Sequence, residues 1–78
     1  LYRAAAEAGD VSGGWNLADL LLRRADTSGA RIEGYARCLW AVSHGAEGSC
    51  APHIARLIQS ERAEAENRVR GFPPPAAP

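Results

Sequence analysis

The sequence predicts an all-α protein, built as antiparallel helical hairpins stacked into a short α-solenoid of about four helices. Three observations predict it. Apolar residues recur at helical spacing in successive segments. Short clusters of Gly, Asp and Ser part those segments, and such clusters end one helix and cap the next. The chain also resembles itself at an offset of roughly 36 residues, a period typical of paired-helix repeats.

Residues 1–8, Leu-Tyr-Arg-Ala-Ala-Ala-Glu-Ala, favour helix, with three consecutive alanines and no β-branched residue. Gly9 suits a left-handed helix end, and Asp10 or Ser12 is placed to cap the next helix. That second helix is expected from Gly13 to Arg24. Trp15, Ala18, Leu21 and Leu22 fall on one side, with Leu17 and Leu20 beside them. Arg23 and Arg24 stand in its last turn, where cations complement the helix dipole.

Asp26-Thr27-Ser28-Gly29 makes the next break, with Thr27 or Ser28 as cap. A third helix from Ala30 to His44 carries Ile32, Tyr35, Ala36, Leu39, Trp40 and Ser43 at helical spacing, and Gly45 ends it. A fourth is expected to begin near Cys50, with Ser49 as cap and Pro52 tolerated in the first turn. Its stripe is Ile54, Leu57 and Ile58. The charged stretch 60–70 then continues it as an exposed helix end, with Glu64 and Glu66 four residues before Arg68 and Arg70. The expected core holds Leu17, Leu20, Leu21, Ile32, Tyr35, Leu39, Ile54, Leu57 and Ile58. Residues 1–70 thus form one helical-repeat domain, and 71–78 a Pro/Ala-rich tail expected to be disordered, since Phe72-Pro-Pro-Pro-Ala-Ala-Pro cannot continue a helix.

Nine basic and nine acidic residues cancel across 78 positions, which leaves no single-sign field for steering toward phosphate or anionic lipid. Neither nucleic acid nor membrane is therefore expected as a partner. A helix-turn-helix reading with 49–62 as reader fails on the same ground, because Glu61 and Glu64 oppose Arg56 and Arg62. All nine basic residues are arginine, which with the many alanines and glycines suggests a bacterial, high-GC actinobacterial source. A chain beginning at Leu1 with no methionine reads as the C-terminal part of a longer array. Two cysteines read as reduced thiols in a cytoplasmic protein, with no signal peptide and no membrane-length apolar run.

Candidate chemistry is sparse. Cys38, His44, Cys50 and His53 cluster in sequence, but their spacing matches no zinc pattern, so neither metal nor cofactor is expected. Ser43-His44, and Ser49 with His53, lack a third member and a strand-to-helix elbow. Gly13-Gly14 has no following lysine to hold phosphate. Glu64 and Glu66 point to different sides of a helix. No catalytic residue is assigned and no enzyme activity is expected.

The self-similarity is specific. Residues 12–21 lie over 49–58 without a gap, matching Leu17 to Ile54, Ala18 to Ala55, Leu20 to Leu57 and Leu21 to Ile58. One residue less brings 5–9 onto 41–45. Tyr2-Arg-Ala-Ala-Ala-Glu-Ala-Gly-Asp10, followed by Trp15-Asn-Leu-Ala-Asp-Leu-Leu21, resembles the helix-B-to-helix-A junction of tetratricopeptide repeats. The Ala-Glu-Ala-Gly-Asp wording is closer to their Sel-one-like relatives. The resemblance covers residues 1–58 and departs at Pro52, which stands where the first repeat has Trp15.

What the resemblance implies is protein–protein recognition, with the A helices lining a concave groove. Trp15, Asn16, Asp19 and Arg23 would face it in the first repeat, and His53, Arg56, Gln59 and Ser60 in the second. Asn16 is the best match, since an amide there commonly holds a ligand backbone in the family. The plainer reading makes Trp15 a core residue and Asp19 and Arg56 solvated charges. The expected function is a scaffold for a peptide or partner helix, with neighbouring repeats or a second copy as further partners. The alternative is the C-terminal repeat segment of a bacterial transcriptional regulator or signalling protein, controlling a neighbouring domain. Fewer than three repeats are expected to melt broadly and at low temperature.

Overall fold

A computed structural model describes residues 2–23 and 26–76. Arg24, expected in the last turn of the second helix, lies outside the described residues, as do Leu1 and the last two residues of the tail. Among the described residues there are five α-helices and no strand: α1 Tyr2–Glu7, α2 Val11–Arg23, α3 Ser28–Ser43, α4 Ala51–Ile54 and α5 Gln59–Val69. The protein is all-α. None of these helices is long and apolar enough to cross a membrane.

The end of α1, the start of α2 and both ends of α3 fall where glycine and short polar residues dictate. After α1, Gly9 takes φ 87°. The Gly9 amide donates to the Ala6 carbonyl and the Asp10 amide to the Ala5 carbonyl, both at 3.0 Å, so the freed carbonyls of the last turn are satisfied. Asp10 then caps α2, its carboxylate accepting from the Gly13 amide at 2.8 Å. Thr27 caps α3 by accepting from the Ala30 amide at 3.1 Å. The end of α3 repeats the end of α1: Gly45 takes φ 103°, and the Ala46 amide donates to the Ala41 carbonyl at 3.0 Å.

The expected fourth helix is two helices. α4 stops at Ile54, and Ile58 is extended, with φ −76° and ψ 163°. The cause lies outside the segment. The Glu61 carboxylate is tied to α3 by the Ser28 hydroxyl at 2.6 Å and the Arg31 guanidinium at 2.9 Å, and it also accepts from the Ile58 amide at 3.1 Å. A straight helix from Cys50 could not satisfy all three, so the chain breaks and α5 starts afresh along α3.

Helix α3 is central, with α2 on one side and α5 on the other, and α1 packs on α2. The core cluster joins Ala18 and Leu22 of α2, Tyr35, Ala36 and Cys38 of α3, Cys50, Leu57, and Ala65 of α5. Gly34 lets α2 and α3 approach, since a Cβ there would sit 2.8 Å from Leu22 Cγ and 3.1 Å from Leu21 Cβ. Of the expected core, Leu17, Tyr35 and Leu57 are buried, Ile32, Leu39 and Ile54 are half-buried against the cluster, and Leu21 is half-buried. Leu20 and Ile58 are not core: they are 43% and 66% exposed. Leu20 stands off the narrow stripe formed by Gly14, Ala18 and Leu22, and the helix break turns Ile58 outward. Trp40, Arg37 and Glu61, absent from the expected core, are buried instead.

The cysteines are not free thiols. Cys38 and Cys50 form a disulfide that fixes the start of α4 to the middle of α3, with Cα atoms 6.0 Å apart. The connecting loop crosses the Trp15 ring at Gly48, where φ is 138° and a Cβ would clash with the indole.

The tail, expected to be disordered, is seated as far as Ala76. The Trp40 indole donates to the Pro73 carbonyl at 3.0 Å, and the Ala76 amide donates to the Gly9 carbonyl at 2.7 Å.

Candidate functional site

Trp15, Asp19 and Arg23 recur every fourth residue or so along α2, and Asn16 stands one step beside them. The α2 cap at Asp10 and the contact of Gly14 with the Trp40 ring set the rotation of that stripe. Asn16 is exposed and Trp15 half-buried. Arg23 pairs with Asp19 at 2.8 Å across one exposed turn, which contributes about 0.3–0.5 kcal/mol.

The disulfide holds the start of α4 to α3, which leaves His53 of α4 facing this stripe across a small cavity. Trp15, Ala18, Asp19 and Leu22 meet Cys38 and His53 around a cavity of about 20 Å³. Three of the expected site residues, Trp15, Asp19 and His53, therefore come together. Arg56, Gln59 and Ser60 separate from them. Arg56 donates from Nη1 to the Leu22 carbonyl at 2.9 Å, so it closes the end of α2 and is part of the fold. Gln59 opens α5 and lines a different groove of about 400 Å³ with Ile54, Leu57, Arg62, Ala63 and Glu66. Ser60 follows it, exposed, on the same helix and not on an A helix.

The disulfide occupies both cysteine sulfurs of the Cys38, His44, Cys50, His53 set, and the His44 ring lies tilted against Trp40 with centroids 4.8 Å apart. Among the described residues no three His, Cys, Asp or Glu side chains are grouped to hold a metal ion.

Partly buried charges are instead paired along α3. Arg3 reaches from α1 to the Glu33 carboxylate with two bonds, at 2.6 and 3.0 Å. That pairing holds the Glu33 carboxyl below its ordinary value, against the opposing pull of its own burial. Glu33 lies 3.8 Å from Arg37 Nε one turn on. Arg37 is 6% exposed, and its Nε has no hydrogen-bond partner among the described residues. Burial pushes its pKa down, which the nearby Glu33 partly offsets. The face of its guanidinium is covered by the Phe72 ring, 4.0 Å away at the centroid.

Residues Gly9, Arg37 and Trp40 were not singled out by sequence as a site. The signal was present: Arg37 and Trp40 are three apart on one helix face, and a Phe-Pro-Pro-Pro run follows later in the chain. Comparison with known protein families, with curated proteins and with solved structures finds no match to any of them.

Proposed function

We propose that the chain is a protein–protein interaction module of the tetratricopeptide or Sel-one-like kind, binding a peptide or partner helix along the exposed side of α2 and α4. The observation that carries the reading is the duplicated helix end. Gly9 and Gly45, 36 positions apart, both take positive φ, and each is followed by an amide that donates to the carbonyl five residues back. On this reading α1 and α3 are the B helices, and α2 and α4 the A helices of a short solenoid. Helix α5 closes the end. Its outer surface is charged, with Arg68 pairing to Glu64 and Arg62 to Glu66, as a terminal element of such an array requires.

The contact face is Trp15, Asn16, Asp19 and His53, with Arg23 at its edge. Arg56 and Gln59 lie outside it, for the reasons of contact given above. The role is binding without catalysis. The Cys38–Cys50 link argues against the cytoplasmic setting expected from two free thiols, since disulfides persist mainly in oxidising compartments.

The test begins with ligands selected from a displayed random-peptide library against the oxidised chain. Asn16→Ala and Asp19→Ala should each weaken the selected ligands by about 1–3 kcal/mol while leaving the helical spectrum unchanged. Ligands indifferent to both changes, yet lost on Glu64→Ala or Arg70→Ala, would place recognition on α5 and end the groove reading.

A further inference from the structure

Four contacts seat residues 72–76 on the seam between the α1–α2 turn and α3. The Trp40 indole N–H donates to the Pro73 carbonyl at 3.0 Å. The Phe72 ring lies on the Arg37 guanidinium, 4.0 Å from centroid to Cζ. The Gly9 carbonyl accepts from the Ala76 amide at 2.7 Å. Gly9 also presents a bare Cα to the Pro74 carbonyl, and a Cβ there would collide with it and lie 3.0 Å from the Ala76 nitrogen.

This seat has the parts by which proline-rich chains are recognised. Phe72, Pro73 and Pro74 each precede a proline, which narrows their backbone choices, and the proline rings fix φ, so the segment loses little freedom on docking. An indole N–H answers a proline carbonyl, an aromatic residue anchors one end, and a glycine allows backbone to approach backbone. The receiving groups are fixed independently of the tail. Trp40 is backed by Gly14, where a Cβ would stand 3.2 Å from the ring, and Glu33 stands 3.8 Å from Arg37.

We propose that this seam binds proline-rich segments of other proteins, of the pattern aromatic-Pro-Pro-Pro, and that the chain's own tail is its resident occupant. The seam shares no residue with the Trp15, Asn16, Asp19 and His53 face and does not depend on the repeat reading. The tail competes from within the same molecule, at an effective concentration on the order of millimolar. An external segment must displace it.

The experiment uses the full oxidised chain, labelled with nitrogen-15, and an unlabelled capped peptide Phe-Pro-Pro-Pro-Ala. On titration, the Ala76 amide resonance should leave its hydrogen-bonded position for that of a free chain. The full-length Phe72→Ala variant, whose tail is loosened, should bind the same peptide about tenfold more tightly. Adding Trp40→Phe to that variant should abolish the gain. The peptide Phe-Ala-Ala-Ala-Ala should leave Ala76 unmoved. The proposal is overturned if Ala76 stays in place at millimolar peptide, or if the proline-free peptide displaces it equally well. If Phe72→Ala proves unfolded, the wild-type titration alone decides. A concentration-dependent dimer that the peptide dissociates would make the occupant a second copy of this chain and would overturn the assignment to other proteins.

Discussion

The Glu61 carboxylate takes hydrogen bonds from the Arg31 guanidinium, the Ser28 hydroxyl and the Ile58 amide, and in that order they pull its pKa from 4.5 to about 2. An unfolded chain therefore binds more protons than the folded one between those values, and stability rises with pH across that window. The contribution is fully present above about pH 4.5 and is lost as pH falls toward 2. Glu33, held down by Arg3, acts in the same direction. Urea unfolding at a series of pH values should show this loss, and Glu61→Gln should flatten the curve. A wild-type curve as flat as the variant's would remove Glu61 from the account. Two glycines offer a second comparison at this scale. Gly45 takes positive φ with nothing within 4 Å of an added Cβ, so Gly45→Ala should cost only the backbone strain, about 1–2 kcal/mol. Gly9→Ala meets the same strain and also the Pro74 carbonyl. It should cost more in thermal melts and should free the Trp40 indole for faster hydrogen exchange; equal costs would mean that the tail contact is not maintained in solution.

Among the elements, the caps were legible in the sequence because they are local: Asp10 and Thr27 each satisfy an amide three residues on, and Gly9 and Gly45 each end a helix within their own turn. The break between α4 and α5 was not legible. Residues 59–61 read as helix interior, and the groups that redirect them, Ser28 and Arg31, lie about thirty residues away in sequence. The disulfide was hidden for a similar reason, since cysteine spacing alone does not say that two Cα atoms approach to 6.0 Å. The residues of the candidate face, Trp15, Asn16, Asp19 and His53, were all named through the resemblance to tetratricopeptide repeats, but the contacts that remove Arg56 and Gln59 follow only from where α4 stops. The disulfide is also where an element-level prediction belongs. Cys38→Ala with Cys50→Ala should cost about 2–4 kcal/mol of stability. Amide exchange should quicken in residues 45–58 while most of α3 stays protected. Exchange that quickened first in α1 would show that the link guards a different part of the chain.

At the scale of the whole molecule, α5 lies back along α3 and the tail returns to the turn after α1, so late residues brace early ones. An open array frays from its ends, whereas these long-range contacts couple the helices to one another. Helical circular dichroism and tryptophan fluorescence should therefore lose signal at the same temperature in one transition, rather than in the broad melt expected for fewer than three repeats. Separate midpoints for the two signals would mean that the tail and α5 leave before the rest. The Cys38–Cys50 link has a further, mechanical consequence. When the molecule is pulled by its two ends, the residues between the cysteines carry no load. The twelve Cα-to-Cα steps from Cys38 to Cys50 drawn straight would span about 40 Å, whereas the link holds its anchors 6.0 Å apart, so the oxidised chain should reach full extension roughly 35 Å short of the reduced one. A tethered single molecule stretched before and after addition of a dithiol reads that difference as length.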